Sequence, residues 1–249
     1  MNRIKPFIVL LLFALIATSF ADKSSINTIK VIPVNLTTTD GIKITGKYLQ
    51  GPQKNSPAII LLHMMGRTMN DWDTFIPDLT TYYSVLAIDF RGHGQSKTQN
   101  GYTLDYRDFS NTDWKNLIND VKAAYSYLRR LPDDSKIPIS IIGASIGANI
   151  ASVFAAEQPK VKALVLLSPG LNYYGIETTP ALEKYNGKIL IVSCEEDNYS
   201  FQSTRSLLLN KKVTIEFHEC KGAYHGNRII TRYPDTKFYA LEWLNANIK

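Results

Sequence analysis

Ser145 stands between Gly143 and Gly147 in the stretch IIGASIGANIAS, residues 141–152. A β-branched apolar run leads into it and an alanine-rich, helix-favouring run leaves it. Glycines on both sides of a serine suit a strand that turns sharply into a helix, because each removes a Cβ that would clash in the turn. The turn lifts the Ser145 hydroxyl onto its apex. It also points the N–H of Ile146 outward at the start of a helix, where developing negative charge can be held. The chemistry this suits is attack on a carbonyl. A small-residue turn needed only for close helix–strand packing is the other reading.

A serine hydroxyl is a poor nucleophile at neutral pH and needs a base, which in turn needs a group to orient it. The chain has four histidines. His218 falls inside a predicted strand, His93 in the tight turn RGHGQS, and His63 at the end of an apolar run. His225, in KGAYHGNR, follows the last predicted strand and has room to swing toward Ser145. An acid must come from another strand end. SCEEDNYS places Glu195, Glu196 and Asp197 just past a strand. Asp197 is the best placed of the three to reach a histidine, with Glu195 as the fallback. A solvated loop or a helix N-cap would use the same residues.

These groups need elements to carry them. TIKVIPVNL (28–36) and IKITGKYLQG (42–51) flank Asp40-Gly41, a hairpin signal. SPAIILLH (56–63) is a continuous apolar run, as expected of a strand buried on both faces. A helix is expected over 70–82 and a strand over 84–90. The spacing predicts a helix over 113–131, with Asp113 as its N-cap and Pro132 beyond it. Strand 137–143, helix 146–157, strands 161–168 and 188–194, helix 200–210, strand 212–219 and helix 235–247 complete the order. The product is about eight strands in one mostly parallel sheet with helices on both faces. Chemistry then collects in the loops at the carboxyl ends of the strands.

The chain order Ser145, Asp197, His225 resembles that of the α/β-hydrolase superfamily. The resemblance covers about residues 30–249. It includes GASIG, the stretch IILLHMMGRTMNDW, similar to the superfamily's His-containing oxyanion loop, and DFRGHGQS (89–96), similar to its D-x-R-G-x-G-x-S turn. The resemblance implies a second oxyanion N–H from Met65, two residues after His63. Where the superfamily usually has Gly after that histidine, this chain has Met64. A serine nucleophile implies acyl transfer to water and argues against dehalogenases and epoxide hydrolases, which place an Asp there. Only PGLNYYGIETTPALEKYNG (169–187) separates two strands where lipases insert a helical cap. An open site is expected, as in compact carboxylesterases and dienelactone-hydrolase-like members, with Tyr173 and Tyr174 as candidate lining of an acyl pocket. The expected partner is a small carboxylic or thio-ester. A peptidase or amidase, or a non-catalytic binding protein, on the same scaffold are the other readings.

Composition is that of a globular protein: 249 residues, 45% hydrophobic and 20% charged, with no repeat and no charge block. One domain over 22–249 is expected. MNRIKPFIVLLLFALIATSFADKSS has Arg3 and Lys5, an apolar run from Phe7 to Ala17, and Ser19-Phe20-Ala21. Those are the regions of a secretory signal peptide with cleavage after Ala21, which implies a secreted or periplasmic protein. An uncleaved membrane anchor is the other reading of that run. Loss of the leader would lower the formal charge of +6 by two. The remaining positive charge is not clustered, which speaks for solubility and against nucleic-acid binding. No metal-ligand cluster or phosphate-binding glycine loop is present, so no cofactor or metal is implied. Cys194 and Cys220 both fall at carboxyl ends of strands expected to be neighbours. They reach each other if their side chains face the same way, and are two buried thiols if not.

Overall fold

The computed structural model describes residues 30–99, 101–131 and 136–248. The leader expected at 1–21 and its cleavage point lie outside the described residues. Eight strands form one sheet: β1 (Val31–Thr37), β2 (Lys43–Leu49), β3 (Ala58–Leu62), β4 (Ser84–Ile88), β5 (Ile139–Ala144), β6 (Val161–Leu167), β7 (Lys188–Cys194) and β8 (Glu216–Cys220). Their spatial order is β1-β2-β4-β3-β5-β6-β7-β8. β2 runs antiparallel to both β1 and β4, and every later pairing is parallel. β3, β4 and β5 are buried at every residue, which is why they read as unbroken apolar runs. β1, at the edge, alternates.

The helices are α1 (Ile76–Thr80), α2 (Asn111–Lys115), α3 (Leu117–Arg130), α4 (Ile146–Glu157), α5 (Thr179–Leu182), α6 (Asn198–Leu208), α7 (Arg228–Arg232) and α8 (Pro234–Asn247). Alternate strand residues feed two cores, one on each side of the sheet. Ile60, Leu62, Leu86 and Ile141 pack with Leu117, Val121, Ile150, Phe154 and Leu207 from α3, α4 and α6. Ile59, Leu61, Val85 and Ile142 pack with Ile76, Leu79, Ile230, Leu241 and Leu244 from α1, α7 and α8. No large domain is inserted in the sheet. The segment between β6 and β7 holds only the two-stranded hairpin Asn172–Tyr173 with Ile176–Glu177, then α5. Among the described residues, no helix is long and apolar enough to cross a membrane.

Several boundaries differ from expectation. The helix expected over 70–82 is a 3₁₀ turn (Met69–Trp72) followed by α1, whose first turn holds Pro77; proline is accepted at the start of a helix and not within one. The helix expected over 113–131 breaks at Asn116 into α2 and α3. Asp113 is not its N-cap. Ser110 caps α2, its hydroxyl accepting from the Asp113 N–H while the Asp113 carboxylate accepts from the Ser110 N–H, a capping box. The strand expected over 212–219 is shorter and shifted, β8 at 216–220. The five-residue helix α7 was not expected.

Candidate active site

Ser145 joins β5 to α4 with φ 54° and ψ −120°. That left-handed backbone costs a non-glycine residue of order 1–3 kcal/mol and persists only where the surroundings enforce it. The surroundings do. The Ser145 N–H donates to the Leu167 carbonyl at 2.8 Å, fixing the turn to the end of β6. A Cβ on Gly143 would lie 2.3 Å from the Gly147 carbonyl oxygen. One on Gly147 would lie 2.6 Å from the Leu62 carbonyl oxygen and 2.7 Å from that of His63. Both glycines are thus required by close backbone approach, and the second packs the start of α4 against the end of β3.

Serine and aspartate are favoured N-cap residues. Ser145 occupies the N-cap position of α4 and Asp197 that of α6, yet neither side chain caps its helix. The Asp197 carboxylate instead accepts from His225 Nδ1 at 2.7 Å. The Asp197 side chain is 15% exposed and that of His225 34%. Glu195 and Glu196 are exposed, and among the described residues they bond through their backbone N–H groups, on the carbonyls of Cys220 and Gly222. Of the acidic trio, the structure therefore pairs Asp197 with the histidine.

The His225 loop lies against the serine turn. A Cβ on Gly226 would sit 3.4 Å from the Ala144 Cβ and 2.8 Å from Met64 Sδ. The Gly226 N–H donates to Ser168 Oγ at 3.0 Å, and Ser168, at the end of β6, itself has φ 51°. Below the loop, Cys194 and Cys220 are register partners on β7 and β8 and form a disulfide with Cα atoms 4.3 Å apart. The strand ends that launch Asp197 and His225 are thereby joined covalently.

Ile146 is the first residue of α4, where N–H groups have no partner within the helix. Among the described residues, no backbone hydrogen bond is donated by Met65 or Ile146 to a loop or turn acceptor. His63 supports the loop that carries Met65. Its Nδ1–H donates to the Met64 carbonyl at 2.8 Å and its Nε2 accepts from the Phe90 N–H at 3.0 Å. Burial holds its pKa down at about 4, so the ring is neutral and can do both. His93, also buried, stacks on Tyr106 with centroids 4.2 Å apart and is likewise held at about 4 by burial. His218 Nε2 meets Thr236 Oγ1 at 3.3 Å on the edge strand. Three of the four histidines therefore serve the fold. Among the described residues, no three His, Cys, Asp or Glu side chains cluster as metal ligands.

Sequence reasoning missed three residues around the site. Asn149, buried in α4, accepts from the Gly170 N–H and donates to the carbonyls of Gly170 and Ile176. It pins the 172–177 hairpin beside the serine turn; its signal was a lone amide in a mostly apolar helix. Ser168 and Ser200 carried no signal, since buried serines are ordinary. Tyr173 and Tyr174 do lie beside the site. Tyr174 stacks on Trp114 with centroids 4.7 Å apart and sends its hydroxyl to Met65 Sδ at 3.2 Å.

Known proteins share this architecture. A Pyrococcus furiosus esterase, Pf2001, superposes with a TM-score of 0.71 at 20% identity, over 89% of this chain and 92% of that one. A dienelactone hydrolase from Anabaena variabilis gives a TM-score of 0.73 at 17% identity, over 89% and 99%. At such identities the likeness concerns the fold. In sequence, monoacylglycerol lipase abhd6-B of Xenopus laevis is 26% identical over 131 residues, 52% of this chain and 35% of that protein. Protein phosphatase methylesterase 1 of Bos taurus is 32% identical over 97 residues, 38% of this chain and 23% of that protein. The chain spans about a third or less of the length of these curated relatives. Residues 53–190, which include the serine turn but neither Asp197 nor His225, match the family described as serine aminopeptidase, S33. By that match the chain belongs to the serine aminopeptidase S33 family, within the α/β-hydrolase superfamily.

Proposed function

We propose that the protein is a serine hydrolase that cleaves small carboxylic or thio-esters through Ser145, His225 and Asp197. The observation that carries this reading is the uncapped pair of N-cap positions. Ser145 is held in a strained turn with its hydroxyl withheld from α4, and Asp197 is withheld from α6 to orient His225. Ser145 Oγ attacks the ester carbonyl while His225 Nε2 takes its proton. Asp197 holds the Nδ1 proton, which keeps Nε2 free to accept. The oxyanion is received by the N–H groups of Met65 and Ile146. His225 then returns the proton to the leaving alcohol or thiol, and water repeats the sequence on the acyl-enzyme. The short segment between β6 and β7, a hairpin and one helical turn where a cap would be inserted, suits a compact substrate. The curated relatives named as lipase and methylesterase support ester cleavage, against the amide cleavage that the family's name suggests.

Export belongs to the same proposal. The N-terminal stretch has the composition of a signal peptide, and a disulfide suits an oxidising compartment. A panel of p-nitrophenyl esters of increasing acyl length, with amino-acid p-nitroanilides alongside, tests the reading. Hydrolysis of short esters with fluorophosphonate labelling at Ser145 is the expected result. Turnover of anilides alone would assign a peptidase, and no labelling of folded protein would leave a binding protein.

A further inference from the structure

The tip of the 172–177 hairpin breaks a local rule. Tyr173 and Ile176 are register partners, so Tyr174 and Gly175 form a two-residue turn, and both take positive φ, 53° and 79°. Such turns prefer Asn, Asp or Gly at the first position, because a left-handed backbone crowds a bulky side chain. Gly175 obeys the rule and Tyr174 does not. A residue kept against the preference of its turn is kept for what its side chain reaches.

The Tyr174 side chain is engaged at its face and at its tip. Its ring stacks on Trp114, centroids 4.7 Å apart and planes 17° apart. Trp114 is buried and braced edge-on by Tyr106 and Phe109. The Tyr174 hydroxyl donates to Met65 Sδ at 3.2 Å. The loop that carries Met65 leans on the same aromatic cluster, since a Cβ on Gly66 would lie 3.0 Å from the Tyr106 hydroxyl oxygen. Tyr174 and Met65 each remain 42% exposed. Tyr173 turns the other way: its hydroxyl is 3.1 Å from Ser200 Oγ, which lies 3.4 Å from His225 Nδ1. His225 leads to Gly226, where a Cβ would lie 2.8 Å from Met64 Sδ and 3.4 Å from the Ala144 Cβ. Neighbouring contacts thus run in a closed circuit from Tyr174 through Met65, Met64, Gly226, His225, Ser200 and Tyr173, with the serine turn against it at Ala144.

We propose that this circuit is the mouth of the site and that Tyr174 is its specificity-determining residue, an end wall that limits the acyl group of the ester to short chains. This rests on the triad proposed above. An ester carbonyl attacked by Ser145 turns its oxygen toward the N–H groups of Met65 and Ile146. Its leaving oxygen faces His225, which must return the proton to it. The acyl chain is left the side away from His225, where Met65 and Tyr174 stand. There the Tyr174 ring, seated on Trp114 and tied to Met65, blocks the way. Removing the ring uncovers the face of Trp114, an apolar surface along which a longer chain can be buried.

The test compares the wild type with Tyr174→Asn and Tyr174→Phe, each checked by thermal melting. Asn suits a positive φ, so the turn survives the loss of the ring; Phe keeps the ring and gives up only the bond to Met65. The quantity read is the ratio of kcat/KM on p-nitrophenyl octanoate to that on p-nitrophenyl acetate. The wild type should favour acetate. In Tyr174→Asn the ratio should rise about tenfold or more, the scale of discrimination among chain lengths in an apolar pocket. In Tyr174→Phe it should stay within about threefold of wild type. An unmoved ratio in folded Tyr174→Asn overturns the proposal, including the case where both esters slow equally. So does an equal rise in Tyr174→Phe, which would trace the limit to the Met65 bond, or a wild type that prefers octanoate. If Tyr174→Asn does not fold, Tyr174→Gly carries the same expectation and the same refutation. Fluorophosphonate labelling, located by peptide mapping, separates the two levels. Wild type unlabelled at Ser145 sinks the triad and this inference with it, whereas labelling at Ser145 beside an unmoved ratio sinks only the role of Tyr174.

Discussion

The turn at 89–96 and the trio Ser145, Asp197 and His225 both stand at carboxyl ends of parallel strands, and they spend their polar groups in opposite directions. In the turn, Asp89 accepts from the N–H groups of Met69 and Gln95. Ser96 donates to the Asp89 carbonyl and accepts from the Thr45 N–H. Arg91 binds Asp120 through its Nε and its backbone N–H, and spreads its two terminal nitrogens over the carboxylate of Asp40. Asp89, Arg91, His93, Ser96 and Asp120 are all buried. Apart from His93 Nε2, the polar groups there are consumed in fixing the loop on which the site leans. In the trio the opposite holds: two good helix-capping residues forgo their helices, and the histidine stays a third exposed. Polar groups that complete the fold are satisfied inward, whereas Ser145 and Asp197 leave their helices uncapped and His225 stays partly exposed.

The sharpest way to break that contrast is to remove the trio and look for a stability cost. Ser145→Ala should abolish ester hydrolysis while the melting temperature holds or rises, since no capping bond is lost. Asp197→Asn should lower kcat by roughly 10⁴-fold, the scale of a wrong-tautomer histidine. Ser145→Ala combined with His225→Ala should be little worse than either alone, because such residues act as a unit. Strictly multiplying losses, measured on p-nitrophenyl acetate, would refute the trio.

The turn should answer the other way. Asp120→Ala leaves the Arg91 guanidinium buried against only one carboxylate, and should cost about 3–5 kcal/mol of stability. Turnover per folded, titrated active site should stay near wild type. Urea unfolding beside active-site titration measures both; a large kcat loss at unchanged stability would erase the distinction between the regions.

The disulfide lies between these extremes. Replacing Cys194 and Cys220 together by Ala opens a 26-residue separation. The expected cost is roughly 2–4 kcal/mol, with a lowered kcat that reflects looser coupling of the Asp197 and His225 loops. Thiol counting in denaturant without reductant should find none in the wild type.

The smallest effect concerns pH. Burial holds His93 near 4, so it is neutral in the folded protein and protonated below about 6.5 when unfolded. Its contribution to stability is therefore present above about pH 6.5 and is lost as pH falls toward 4. His63 acts in the same sense. Asp120, whose carboxyl burial pushes up to about 6, acts in the opposite sense: its contribution is complete below about pH 4 and is lost as pH rises through 6. His93→Phe keeps an aromatic ring against Tyr106, removes the buried Nε2, which has no partner among the described residues, and gives up the Nδ1 bond to the Arg91 carbonyl. Urea midpoints between pH 4.5 and 7 should show a shallower acid loss in that variant. An unchanged slope would mean that His93 does not sense pH.

Local pattern alone determined the strand order of burial, the glycine-flanked serine turn and the address of each candidate group. β3, β4 and β5 announce themselves because a strand covered on both faces must be apolar at every position. Gly143 and Gly147 announce Ser145 because no side chain fits where they stand. Boundaries set by competing local signals were less legible. Asp113 could cap or complete a cap, and Ser110 won the position because its hydroxyl and the Asp113 carboxylate satisfy two N–H groups reciprocally. Only the tertiary structure could decide which acid of Glu195, Glu196 and Asp197 meets His225, since their spacing differs by single residues and the winner depends on how β7 ends against β8. The same register brought Cys194 opposite Cys220, and no sequence pattern specifies register between parallel strands joined by a helix. The tether of the 172–177 hairpin to α4 by Asn149 is of this kind too, and its meaning appears only once the chain has closed on itself.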